Sequence, residues 1–146
     1  MDNHLPVIYI ARHGETAWTL TGQHTGLTDL PLTPQGECNA RALADRLRGL
    51  KFAKVFTSPL QRASKTCALA GFGAMAEVDS DLVEWNYGQY EGLTPTQIHE
   101  TTPGWLGCPG GEAPEQVGAR VDRVIARKSR RTIRTPTCCV CWRRVG

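Results

Sequence analysis

The sequence predicts an α/β domain with a largely parallel sheet, and three observations carry that prediction. Short apolar runs rich in β-branched and aromatic residues occur at residues 7–11, 53–56 and 76–78. The first two are each followed by polar residues and then by a helical start signal, the alternation that builds parallel sheets. With 146 residues and 40% hydrophobic content, the chain fits one domain with one core and shows no internal repeat.

Taken in order, residues 7–11 read as a buried parallel strand whose carboxyl end carries Arg12 and His13. Thr33 and Pro34 cap a helix whose Leu43, Leu47 and Leu50 recur on one face, and Gly49 ends it. Residues 53–56 form the second strand. Ser58 as cap, Pro59 at the first helical position and Gln61 at the third predict a capping-box helix that runs to Gly71. A third strand is expected at residues 76–78, and Thr94, Pro95 and Gln97 repeat the box for a short helix. A last amphipathic helix starts near Pro114, with Val117, Val121, Val124 and Ile125 on one side.

Polar residues at the carboxyl ends of parallel strands are where such sheets bind ligands. A neutral histidine is a nucleophile when one ring nitrogen is free and the other donates to a fixed acceptor. Arg12 adds a planar cation that fits phosphate oxygens, and Gly14 lets a ligand approach the backbone closely. Arg62, in the first turn of its predicted helix, adds charge where a helix already favours anions. Alone, Arg12 to Gly14 read equally well as polar loop residues, and Arg62 as an ordinary surface arginine.

These two motifs at this separation, followed by Leu82, Val83, Glu84, Trp85, Asn86, Tyr87, Gly88, Gln89, Tyr90, Glu91 and Gly92, resemble the histidine phosphatase superfamily, also called the phosphoglycerate mutase-like family. The resemblance runs from about residue 6 to about residue 126, and the stretch from Trp105 to Glu112 is most similar to the phosphatase branches. It implies a three-layer α/β/α fold and a small phosphorylated metabolite of the sugar-phosphate type as substrate. His13 would take the phosphoryl group, Arg12 and Arg62 would grip its oxygens, and Glu84 would protonate the leaving alkoxide. Burial beside Trp85 and Tyr87 would suit Glu84 to that task; a solvated loop carboxylate is the plainer alternative. Thr25 and Gly26 would offer a hydroxyl and a backbone amide to the substrate, with Tyr87 beside them. His24 is expected to be an exposed loop histidine, with contact to a second phosphate or carboxylate as the alternative. Thr19 stands where mutases commonly have asparagine, which disfavours the mutase alternative. No cofactor or metal is implied, because two arginines and a histidine take over a cation's electrostatic role.

One departure is large. The resemblance calls for a second histidine, after a later strand, in a Ser-His-Gly type of motif, whereas the histidines here are His4, His13, His24 and His99. Composition changes too: residues 1–126 carry a net charge of −4, and residues 127–146 carry +7 with no acid. That basic stretch holds three of the six cysteines and shows no periodicity. Its Arg, Cys, Pro and Trp content is what a shifted reading frame of a GC-rich gene produces. We therefore expect residues 1–126 to be the amino-terminal portion of the domain, incomplete at the C-terminus, and residues 127–146 to be an irregular, non-native or disordered tail. Without the strand that carries the second histidine, neighbouring strands should be left with unpaired backbone and the fold should be marginal. An inactive remnant with weak anion binding is then the reading that competes with an enzyme.

Cys138 and Cys141 have metal-ligand spacing, but one pair does not close a tetrahedral zinc site. The basic run reads as solvated rather than as a nucleic-acid surface. No secretory pattern precedes the first strand and no stretch is long enough to span a membrane, so a cytoplasmic location with free thiols is expected. Oligomeric state leaves no signature.

Overall fold

The structure is a computed structural model that describes residues 8–104, 107–129 and 137–140. Strands β1 (Ile8–Ala11), β2 (Lys54–Thr57), β3 (Ala76–Val78) and β4 (Thr137–Val140) form one parallel sheet in the order β1-β4-β2-β3. Helix α2 (Pro34–Arg46) connects β1 to β2, and α3 (Gln61–Leu69) connects β2 to β3. The short α1 (Ala17–Thr21) precedes α2, and α4 (Pro95–Thr101) and α5 (Pro114–Ser129) follow β3.

The pleat sends alternate residues to opposite faces. On one face Val55 packs with Phe52 and Cys67 of the α3 side, joined by Tyr9, Ala11, Leu47, Phe72 and Ala76. On the other, Phe56 meets Leu82 and Val124 of α5. Fully burying side chains such as Val55 or Phe56 stabilises by about 1.5–3 kcal/mol each. The result is the three-layer α/β/α arrangement. No helix among the described residues is long and apolar enough to cross a membrane.

Several elements match the sequence reading. Thr33 caps α2 by accepting the Gly36 amide at 3.0 Å, and Gly49 follows the helix with a positive φ of 85°. Thr94 and Gln97 form the expected reciprocal box on α4. Others need correction. Helix α3 starts at Gln61 with Leu60 as its cap; the Ser58 hydroxyl accepts the Leu60 amide, and the Gln61 amide is satisfied by Asp29 Oδ1 at 2.8 Å. A distant carboxylate replaces the local box. Helix α1 was not foreseen, because five residues give no period; its cap is a Thr16 and Thr19 pair doing the work of Ser/Thr with Glu/Gln. On α5, Val117 and Val124 are buried, while Ile125 is exposed.

Strand β1 is not fully buried as expected. Tyr9 and Ala11 pack inward, but Ile8 and Ile10 are 41% and 69% exposed on the other face. Helix α5 covers β2 on that face, and β1 is the sheet's edge among the described strands. The expected tail also differs. Helix α5 runs through Ser129 without a break at residue 126, and Arg127 pairs with Asp79 at 3.0 Å and Asp81 at 2.8 Å. Strand β4 pairs with both β1 and β2, so the slot expected to stand empty is filled by Thr137–Val140. Four uncharged residues that include Thr and Val suit such a place, and a central parallel strand need not alternate. The remaining tail, residues 130–136 and 141–146, lies outside the described residues, as do Val7, His4, Trp105 and Leu106.

Candidate active site

His13 stands two residues beyond the end of β1. Its Nδ1–H donates to the Gly14 carbonyl at 2.7 Å, which leaves Nε2 with a free lone pair. Burial pushes its pKa down to about 4, and the charges of Arg62 and Arg12 act in the same direction, against the raising effect of the Gly14 bond. The ring is therefore neutral near pH 7, as nucleophilic attack requires. Thr66 of α3 ties this loop to the helix: its Oγ1 accepts the Gly14 amide at 3.0 Å and donates to the Arg62 carbonyl at 2.6 Å. Gly14 makes a close approach, but to the chain itself. A Cβ there would lie 2.2 Å from the Gly36 carbonyl oxygen, so the glycine accommodates α2 rather than a ligand.

Arg62 is fully buried. Its Nη1 donates to the Thr28 carbonyl at 2.8 Å and its Nη2 to the Gly26 carbonyl at 2.7 Å, while its buried Nε–H has no partner among the described residues. No carboxylate among the described residues forms an ion pair with it. A buried cation without a counter-charge is costly unless an anion joins it. The loop that supplies its carbonyls is itself held by Glu91, whose carboxylate accepts the Gly26 and Leu27 amides at 3.1 and 2.9 Å and the Thr28 hydroxyl at 2.7 Å. The sequence reading names Glu91 within the 82–92 motif but gives it no role, because a glutamate 65 residues from its partner gives no local signal of the contact.

A cavity of about 130 Å3 brings together Arg12, His13, His24, Thr25, Glu84 and Tyr87. Five of these are predicted site residues. His24 is the sixth, and it corrects the expectation of an exposed loop residue: it is half-buried, with its ring 4.5 Å from that of Tyr87. Its main chain pairs with Leu93 and Gly92, which closes the loop onto the cavity. Tyr87 also stacks on Trp85, with centroids 5.8 Å apart. Glu84 Oε1 accepts the Trp85 amide at 2.9 Å. Gly26 departs from its expected role: its amide is bonded to Glu91 and its carbonyl to Arg62, so it supports the arginine and offers no donor to a substrate. Thr25 lines the cavity, its hydroxyl 3.3 Å from the Gln23 carbonyl. Arg62 does not line this cavity, although its charge acts on His13. A neutral imidazole that shares a cavity with Arg12 and the Glu84 carboxyl, with the charge of a second guanidinium acting on it, is suited to phosphoryl transfer.

Comparison with known proteins identifies the family. The model of the histidine phosphatase superfamily (branch 1) matches residues 8–141. The chain is 45% identical over 126 residues to the acid phosphatase of Mycobacterium tuberculosis, covering 82% of this chain and 61% of that protein. It is 38% identical over 154 residues to sedoheptulose 1,7-bisphosphatase of Saccharomyces cerevisiae, covering 87% and 57%. A solved structure of an open reading frame from Mycobacterium tuberculosis superposes with a TM-score of 0.84 at 39% identity, covering 91% of this chain and 72% of that one. The chain thus spans about three fifths of the length of the two curated relatives. Motif order, layering of the sheet and shared sequence lead to one assignment: this chain belongs to branch 1 of the histidine phosphatase superfamily.

Proposed function

We propose that the chain is a phosphatase of small phosphomonoesters of the sugar-phosphate type, working through phospho-His13. The observation that carries this reading is the buried, carboxylate-free Arg62 with an open Nε–H, whose charge acts on a histidine kept neutral. His13 Nε2 attacks phosphorus as the ester P–O bond breaks, and the Glu84 carboxyl gives its proton to the departing alkoxide. Water then attacks phospho-His13, the Glu84 carboxylate takes the water's proton, and the N–P bond breaks to release inorganic phosphate. Arg12 and Arg62 neutralise the equatorial oxygens throughout, and Thr25 and Tyr87 border the substrate. The names of the two curated relatives, an acid phosphatase and a sugar bisphosphatase, support hydrolysis over the mutase alternative. The free thiols Cys38, Cys67 and Cys108 support a reducing, cytoplasmic setting, and burial pushes the Cys67 thiol up to about 11.

The test is incubation of the full chain with sedoheptulose 1,7-bisphosphate and with 3-phosphoglycerate, beside His13→Ala. Phosphate release from the sugar ester, lost in His13→Ala, is the expected outcome. Interconversion of phosphoglycerate isomers would favour the mutase. Equal rates for the two proteins would mean that His13 does no chemistry and that the chain is an anion-binding remnant. The described residues hold no second histidine of the Ser-His-Gly kind, and loss of one such donor lowers rates by about 10² to 10³. Slow turnover is therefore expected.

A further inference from the structure

We propose that Arg120 and Glu112 are the positioning pair of the proton donor, fixing the main chain on both sides of Glu84 so that its carboxyl stays at the cavity wall. This rests on the reading of Glu84 as the acid. Between β3 and α4 the chain has only two three-residue 3-10 turns, Ser80–Leu82 and Gly88–Tyr90, and Glu84 lies between them. No strand ladder or α-helix holds it.

Arg120 does so from α5. Although charged, it is 6% exposed, and all five of its N–H groups have acceptors. Nε and Nη2 each donate to the Glu112 carboxylate at 2.9 Å, in a bidentate fork. Nη1 donates to the Asp81 and Val83 carbonyls, both at 2.8 Å, and Nη2 also reaches the Glu84 carbonyl at 3.4 Å. Glu112 holds the other side. Its Oε2 accepts the Asn86 amide at 2.9 Å, its carbonyl accepts Trp85 Nε1–H at 2.8 Å, and its amide donates to the Asn86 carbonyl at 2.9 Å. Residues 81, 83 and 84 are thus gripped by the arginine, and residues 85 and 86 by the glutamate.

Docking of α5 does not call for this arrangement. Val124 already packs on Phe56 and Leu82, and Arg123 and Arg127 pair with Asp79 and Asp81 on the helix's exposed side. A buried ion pair is weak evidence for stability, since apolar residues of similar volume commonly serve as well. What the pair supplies is a fixed path for the segment that bears Glu84.

The experiment compares the full chain with Arg120→Gln and with the milder Glu112→Gln, reading kcat/KM for a sugar phosphate and for 4-nitrophenyl phosphate. The alkoxide of the sugar needs a proton as it leaves, whereas 4-nitrophenolate does not. Misplacing the acid should lower kcat/KM about 10²-fold for the sugar ester and less than about threefold for the aryl ester. Equal losses on both esters in both variants would overturn the proposal, because a fall in folded protein reduces every substrate alike. Amide exchange gives a second readout: the Trp85 amide, bonded to Glu84 Oε1, should exchange at least about 10-fold faster in Arg120→Gln while α2 amides do not change. An unchanged Trp85 amide would also overturn it. If the unmutated chain hydrolyses neither ester, the proposed function has failed separately, and the exchange result alone decides whether the pair positions Glu84.

Discussion

His13 follows β1 and Arg62 sits in the first turn of α3, so the part of the cavity that bears the nucleophile takes its geometry from a strand and a helix. Glu84 lies in a segment without strand or α-helix and depends on Arg120 and Glu112, which contact it from 26 to 39 residues away. The backbone that bears His13 and Arg62 is therefore placed by a strand and a helix, with Thr66 and Glu91 tying the adjoining loops from 52 to 65 residues away, whereas the backbone that bears Glu84 is held mainly by side chains. The first should tolerate surface change and respond to charge; the second should respond to loss of individual hydrogen bonds.

The largest effect is expected at Arg62. Arg62→Met removes the buried cation and should lower kcat/KM about 10²- to 10³-fold, as loss of a transition-state charge donor does. It should also abolish stabilisation by inorganic phosphate. At about 100 times its Kd, phosphate stabilises a protein that binds it by about 2.7 kcal/mol, a shift of several degrees in Tm. A variant whose Tm still rises by that amount with phosphate would show that the anion sits elsewhere.

His13 makes the nucleophile region sensitive to acid. Its pKa is about 4 in the folded chain against 6.5 unfolded. Below pH 6.5 the unfolded chain binds the proton first, so stability is complete above that pH and is lost as pH falls toward 4. The loss should reach about 3 kcal/mol at pH 4. Urea unfolding at pH 7 and pH 4 checks this: His13→Asn should lose less than the unmutated chain by about that amount. The sign would be reversed if the native site held the imidazole charged.

Legibility in the sequence follows the same division. Strand runs and helix starts have local signatures that place Arg12, His13 and Arg62 at the ends of elements, but only the resemblance to a family separates these three, like Glu84 and Tyr87, from ordinary polar residues. Glu91 and Glu112 lie inside the stretches that carry the resemblance but show no role there, and Thr66 and Arg120 lie outside them: each works on a partner 8 to 65 residues distant, and as an isolated side chain each reads as an ordinary solvated polar residue. The Ser58 box failed for the same reason, since Asp29 supplied the acceptor from outside the local window. Strand β4 gives no sequence signal because four residues are too few to display a period.

The smallest effect is expected where the two regions touch. Gly26 gives its carbonyl to Arg62 and its amide to Glu91, and a Cβ there would lie 2.1 Å from both the Trp85 carbonyl oxygen and Glu91 Oε1. The carboxylate can rotate away; the carbonyl is main chain and adjoins Glu84. Gly26→Ala must therefore push the 26–28 loop and the 84–86 segment apart, at about 1–3 kcal/mol of stability. Urea unfolding measures that cost. Exchange of the Trp85 amide and the Tm shift with phosphate then show which side yields. If the two regions are held as independently as their bonding suggests, the donor side gives way, because the loop's carbonyls are tied to the buried Arg62 and its amides to Glu91: Trp85 exchange quickens while phosphate still stabilises. Loss of the phosphate response with Trp85 unchanged would mean that the loop bearing the Arg62 acceptors is the softer of the two.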